Sequence, residues 1–164
     1  LLVVGDGPYR RQLEEMVQKF GLQRSFAITG RVAHERVPDY VALFDIAVSP
    51  RATFYASPMK VIEYMALAKP VVVPRTANFL DIIDENVNGA AFNEGDATAL
   101  ANTLKSLCDD RERRRAMGAS AAQKVVVRLN WLWNAREVCR LFGLERPGER
   151  HGGESAEWRH ERGR

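Results

Sequence analysis

Two cysteines in 164 residues, Cys108 and Cys139, are too few and too far apart to frame a zinc site or a disulfide scaffold. They are expected as reduced core residues of a cytosolic protein. Charge of one sign is also scarce. Lys and Arg total 24 against 21 Asp and Glu, a net +3, with no basic stripe and interleaved aromatics of the kind nucleic acid requires. No apolar run approaches the roughly 20 residues of a membrane span, and no signal peptide stands at the start. Gly-x-Ser-x-Gly, HExxH and Walker A sequences are absent, as is any metal-ligand spacing, so neither a metal nor a cofactor is expected. What remains is an ordinary globular composition, 46% apolar and 27% charged, long enough for one domain with a real core.

The pattern along the chain is alternating. "LLVVG" is an aliphatic run suited to a strand buried on both faces. Pro8 stands where a helix can begin, and Leu13, Met16, Val17 and Phe20 follow at helical spacing until Gly21 stops it. "SFAITG", "DIAVSP", "PVVVP" and "GAAFN" read as four more strands. Between them lie a helix carrying Val37, Tyr40, Val41 and Phe44, a helix in "SPMKVIEYMA", and a short helix in "NFLDIIDENVNG". Strands joined by such short crossovers pair in parallel, giving an α/β, Rossmann-like, doubly wound sheet. From Asp96, a good N-cap, the pattern turns to C-terminal helices, the first with Leu100, Leu104 and Leu107 on one face. The arginines at 111, 113, 114 and 115 read as a solvated helix face. Residues 1–143 form the domain, and 144–164, almost without aliphatics, read as a disordered charged tail. Because "LLVVGDGP" opens in mid-strand, the chain is expected to be the rear part of a longer protein.

Ligands of open parallel sheets bind beyond the carboxyl ends of the strands, which selects "GDGP", "TGRV", "SPRATFYASP" and "VPRTANF". The third, about ten residues, exceeds the usual two to six and suggests function. "GDGPYR" begins like a dinucleotide fingerprint, but Arg10 holds the place of its third glycine, which argues against a Rossmann dehydrogenase. In "SPMKVIEYMALAKPVVVP", Ser57 can cap the helix and Pro58 suits its first turn, so the free amides face the ligand side. Lys60 there opposes the helix dipole unless an anion is bound. Glu63 shares its face one turn on. The two either pair on the surface, for a few tenths of a kcal/mol, or both address a ligand. His34, His151 and His160 read as surface, capping or solvated residues. Of Trp131 and Trp133, two apart on one helix, one is expected to pack and the other to cover an interface.

The stretch from Ser57 to Leu104, together with "GDGP", "TGRV", "DIAVSP" and "NWLWNAREV", resembles the donor-binding half of glycosyltransferase family 4 over about residues 1 to 142. Such enzymes have the GT-B fold, two Rossmann-like domains across a cleft, and retain sugar configuration. The resemblance implies the C-terminal half of that fold, lacking its first strand and helix. It implies that Glu63 accepts from the ribose hydroxyls of a nucleoside-diphosphate sugar, the substrate. Amides at Met59 and Lys60, with Ser57 beside them, would hold sugar and phosphates, and Gly30 and Arg31 would meet the base. Tyr55 stands where the family has a second glutamate that contacts the transferred sugar, so the identity of that sugar is open. Ala68 replaces a usual glycine, a change expected to be tolerable in a turn, and Asp81 a usual glutamate.

The Arg and Lys that stabilise the leaving diphosphate, and the acceptor-binding domain, would lie upstream of Leu1. The implied setting is cytoplasmic, with peripheral contact at the inner membrane face as an open alternative, and the implied role is polysaccharide or glycolipid synthesis. Two other readings stay open: a GT-B-fold nucleotide-sugar epimerase, and a non-catalytic nucleotide-sugar-binding scaffold with Tyr55 marking lost catalysis.

Overall fold

The computed structural model describes residues 1–51 and 57–144. They divide into two units, Leu1–Leu129 and the segment from Asn130 onward. The first unit runs β1 (Leu2–Val3), α1 (Arg10–Lys19), β2 (Ala27–Ile28), a 3-10 turn (His34–Arg36), α2 (Val37–Ala42), β3 (Ala47–Val48), α3 (Met59–Ala66), β4 (Val71–Pro74), α4 (Ala77–Leu80), β5 (Gly89–Phe92), α5 (Ala97–Asp109) and α6 (Arg111–Arg128). All strand pairings within these strands are parallel, in two groups, β1-β2 and β3-β4-β5. The alternation read from sequence is borne out, and the fold is a Rossmann-like α/β one.

The core sits on β4. Its four residues are all buried, and pleating sends them to opposite faces. Val71 and Val73 pack with Val61 and Met65 of α3, Phe79 of α4 and Ala121 of α6. Val72 packs on the other face with Phe92, Leu107 of α5 and Met117 of α6. Helices therefore cover both faces of this sheet, as parallel strands demand. The expectation for "LLVVG" fails in part: Leu2 and Val3 are only half-buried and Leu1 is 73% exposed, because β1 has β2 alone as a neighbour. The apolar side of α1 is likewise uncovered, with Met16 and Phe20 exposed.

Helix ends explain several sequence features. In α1 the Gly21 amide donates to Gln18 O at 3.1 Å and Leu22 to Val17 O at 2.9 Å, with Gly21 at φ +66°, a Schellman end. Helix α3 ends the same way: Ala68 N–H bonds Met65 O at 3.0 Å and Lys69 N–H bonds Tyr64 O at 3.0 Å. Here the left-handed residue is Ala68, φ +55°. A Cβ there costs about 1–2 kcal/mol, against about 0.5–1 kcal/mol of extra chain entropy for glycine. Ala68→Gly should therefore raise stability by about 0.5–1 kcal/mol, readable as an increased urea midpoint with unchanged slope; a decrease would contradict the assignment.

The arginine block is only partly a solvated face. Arg114 Nη1 donates to Leu107 O at 2.6 Å and Cys108 O at 2.7 Å, closing the last carbonyls of α5. Arg113 Nη2 donates to Asn86 Oδ1 at 3.0 Å. Asp96 caps α5 as expected, its Oδ1 accepting from Ala99 N–H at 2.8 Å. Cys108 is exposed rather than in the core, and both cysteines are free. Among the described residues no helix is long and apolar enough to cross a membrane.

The second unit holds α7 (Trp131–Leu141), capped by Asn130 Oδ1, which accepts from Trp133 N–H at 2.8 Å. Trp131 is exposed and Trp133 lies at the edge of exposure, so the expected packing tryptophan is not formed in this unit. The tail expected over 144–164 lies, after Leu144, outside the described residues.

Candidate functional site

"GDGP", "TGRV" and "VPRTANF" follow β1, β2 and β4, whereas residues 52–56 of "SPRATFYASP" lie outside the described residues. Gly5, after β1, donates its N–H to Gly30 O at 3.1 Å. Thr29 Oγ1 accepts from Gly5 N–H at 3.2 Å and donates to Gly30 O at 2.8 Å. "GDGP" and "TGRV" are thus fastened together. Gly30 is buried at φ +72°, and a Cβ there would lie 3.0 Å from the Arg10 guanidinium. Arg10 itself is held by Glu14 at 2.8 Å and approaches Asp6 at 3.8 Å. The residue that breaks the dinucleotide fingerprint therefore covers the second loop from the first helix. Arg31 is exposed.

Helix α3 begins at Met59, one residue later than Ser57 would need in order to cap it. Pro58 is the N-cap residue, at φ −81° and ψ 58°, with no side-chain cap bond. Those angles make an inverse γ-turn, in which Ser57 O accepts from Met59 N–H at 2.9 Å. Ser57 thus contributes its carbonyl, not its hydroxyl, and the sequence expectation of a serine cap is corrected. Pro58 O takes the N–H of Val61 at 2.9 Å and of Ile62 at 3.3 Å. Lys60 N–H has no acceptor among the described residues. This amide, at the positive end of the helix, is the group a phosphate or sugar oxygen would satisfy. Met59 and Lys60 are both exposed, and Tyr55 lies outside the described residues.

Glu63 is exposed, and its carboxylate has no hydrogen-bond or ion-pair partner among the described residues. The Lys60–Glu63 pair allowed by their spacing is not made. Glu63 instead lines a cavity of about 200 Å³ with His34, Val37, Pro38, Val41 and Leu67. Helix α2 forms the opposite wall, and two contacts join the segments at the ends of α2 and α3. Lys69 Nζ donates to Ala42 O at 2.6 Å, and Phe44 meets the Tyr64 ring edge-on at 6.1 Å between centroids. Burial pushes the Tyr64 hydroxyl above its ordinary pKa, and the neighbouring Glu63 charge adds to the rise. Tyr64 thus stays a neutral packing group.

The fourth loop offers less than its sequence promised. Arg75, after β4, forms a bidentate pair with Glu85, both contacts 2.6 Å. These bonds lower the Glu85 pKa and raise that of Arg75. The cation is neutralised before any ligand arrives. His34, read from sequence as a surface or capping residue, is exposed. It sits in the 3-10 turn between "TGRV" and α2, and only the packing of α2 on α3 brings it opposite Glu63.

The chain matches the family Glycosyl transferases group 1 over residues 1–124. It is 27% identical over 121 residues to an alpha-D-kanosaminyltransferase of Streptomyces kanamyceticus, covering 74% of this chain and 31% of that protein. It is 28% identical over 138 residues to a GDP-mannose-dependent alpha-(1-6)-phosphatidylinositol monomannoside mannosyltransferase of Mycobacterium tuberculosis, covering 80% and 36%. In fold it is similar to Anabaena Alr3699/HepE, solved in complex with UDP, with a TM-score of 0.78 at 19% identity over 88% of this chain and 40% of that one. The chain spans about a third of the length of these curated relatives. With the family matched over most of its length, the chain belongs to the group 1 glycosyltransferases.

Proposed function

We propose that this chain is the donor-binding, C-terminal part of a retaining family 4 glycosyltransferase, working in the cytoplasm on polysaccharide or glycolipid synthesis. The observation that carries the reading is α3. Its first turn offers the Lys60 N–H, which has no acceptor among the described residues, and one turn further Glu63 presents a carboxylate with no protein partner among the described residues. A nucleoside-diphosphate sugar supplies what each lacks: an anionic oxygen for the amide and a vicinal diol for the carboxylate. Relatives named for GDP-mannose dependence and a structural neighbour solved with UDP support this ligand class.

In the reaction so proposed, the bond between the sugar's anomeric carbon and the diphosphate oxygen breaks, and its electron pair leaves with the nucleoside diphosphate. An acceptor hydroxyl attacks the same face and its proton passes to the departing diphosphate oxygen, so configuration is retained. The helix end contributes to stabilising the departing charge. The family resemblance puts the remaining cations, and separately the acceptor-binding domain, upstream of Leu1.

Calorimetry of the 164-residue chain with UDP and GDP tests the reading. Weak but saturable binding of one of them is expected, with no sugar transfer from the corresponding nucleotide sugar. Absence of binding to either would overturn the donor-site assignment, and turnover by this chain alone would overturn the need for upstream charges.

A further inference from the structure

We propose that Arg10 is a positioning residue for nucleotide binding, its guanidinium holding the turn at Gly30 that sets the cavity wall opposite Glu63; this rests on the nucleotide reading of α3. The stability of α1 does not account for this side chain. Arg10 is the first residue of α1, whose first turn holds no acidic residue, so its charge opposes the helix dipole. Glu14 follows it at i,i+4, the weaker order for such a pair. The guanidinium reaches back to the loops at the carboxyl ends of β1 and β2. Nε donates to Glu14 Oε1 at 2.8 Å, and Nη1 stands 3.8 Å from Asp6 Oδ2. Nη1 also lies 3.0 Å from the point a Gly30 Cβ would occupy, so the missing side chain at 30 is what admits it. With two carboxylates beside it, Arg10 meets the turn by packing and not as a free cation.

Gly30 is where the backbone needs such support. It is buried with φ +72°, and glycine rotates there at little cost. Its carbonyl accepts from the Gly5 N–H at 3.1 Å and from the Thr29 hydroxyl at 2.8 Å. Arg10 closes the other side, where a side chain would stand. Residues 31–33 then carry the chain to the 3-10 turn His34–Arg36, and His34 and Val37 line the cavity with Glu63. Four residues reach at most about 14 Å, so a rotation of only about 5° at Gly30 shifts that wall by roughly 1 Å. Binding constellations need their parts held to within about 0.5 Å. Removing the guanidinium therefore loosens one wall of the cavity without taking away a ligand contact.

Amide hydrogen exchange and calorimetry of the 164-residue chain test this on the unsubstituted protein, Arg10→Ala, Arg10→Lys and Glu63→Ala. Arg10→Ala should keep the melting curve, because relief of the dipole conflict and the helix propensity of alanine offset the lost Glu14 pair. Without ligand, the amides of Gly5 and Arg36, bonded to Gly30 O and Ala33 O, should exchange faster in Arg10→Ala while those of β4 do not change. Affinity should fall roughly 3- to 10-fold, by the same factor for UDP and UMP, as expected of a group acting through its neighbours. Arg10→Lys keeps the charge but not the planar fork, and should recover only part; it carries both readouts if Arg10→Ala does not fold. A loss larger for UDP than for UMP would make Arg10 a phosphate ligand and overturn the proposal. So would full recovery by lysine, unchanged exchange at both amides, or unchanged affinity in Arg10→Ala when Glu63→Ala does weaken UDP. If the unsubstituted chain binds neither nucleotide, or Glu63→Ala has no effect, the underlying nucleotide reading fails and the proposal with it.

Discussion

Gly118→Ala should destabilise the first unit by about 2 kcal/mol or more, since its Cβ would be the most crowded of those at the described glycines. Gly118 is buried in the middle of α6. A Cβ at that position would fall well inside van der Waals contact with the Ala68 carbonyl oxygen and 2.9 Å from its carbon, with Pro70 Cδ at 3.5 Å. The obstacle is backbone, fixed by the Schellman bonds that end α3 and by the entry into β4, so no side-chain rotation relieves it. Overpacking of this kind costs about 1–3 kcal/mol and sometimes more. Against it stands the better helix propensity of alanine, about 1 kcal/mol. The first term wins because α6 must move away from α3 to admit the methyl, and the contacts of Ala121 and Met117 with the core go with it. The sign is diagnostic. A glycine with no packing role would give a gain of about 1 kcal/mol on the same substitution. Chemical denaturation should show the loss, and thermal unfolding a midpoint lower by roughly 5–10 °C; a rise in either would mean that the helices do not approach as closely as described.

Such a contact was not legible in the sequence, where Gly118 stands in an ordinary polar helix. The order of elements was, because aliphatic runs and helical spacings are local signals. "PVVVP" announced the central strand, and Asp96 announced the start of α5, since each depends on a few neighbouring residues. The failures were all matters of what else is nearby. "LLVVG" reads as a doubly covered strand, yet β1 is covered only where β2 reaches it. Arg113 and Arg114 read as solvated until the end of α5 and the turn at Asn86 come within reach of their guanidinium groups. Ser57 had the chemistry of a cap, but the Pro58 backbone angles fold the chain one residue short of the position from which a hydroxyl could act. At the candidate site the same division holds. Glu63 and the Lys60 amide could be named from the pattern around α3, whereas His34 and the bidentate Arg75–Glu85 pair emerge only from tertiary packing. His34 is 29 residues from Glu63 in sequence, and no periodicity links them.

Glu63→Ala should weaken binding of UDP or GDP by about 1–3 kcal/mol, roughly 5- to 150-fold, while leaving the stability of the protein within about 0.5 kcal/mol. The two halves of this expectation have one cause. Glu63 is exposed and makes no ion pair or hydrogen bond within the described residues, so folding gains little from it. A ribose diol, by contrast, offers two O–H donors to one carboxylate, and hydrogen bonds to a charged acceptor are about twice as strong as neutral ones. Exposure lowers the expected magnitude toward the middle of the range, because the carboxylate gives up good hydration to make these bonds. Glu63→Gln separates charge from geometry: the amide keeps one acceptor and the same reach, so its loss should be intermediate. The cleanest control uses 2′-deoxy-UDP, with one hydroxyl removed. The unsubstituted chain should prefer UDP over it, and Glu63→Ala should largely erase the preference, since the partner of the missing hydroxyl is then gone. An affinity for UDP that is measurable but indifferent to Glu63, or a preference for the ribose form that survives its removal, would return Glu63 to the solvent face of an amphipathic helix. The diol would then have to be held by another group of the sheet's carboxyl end.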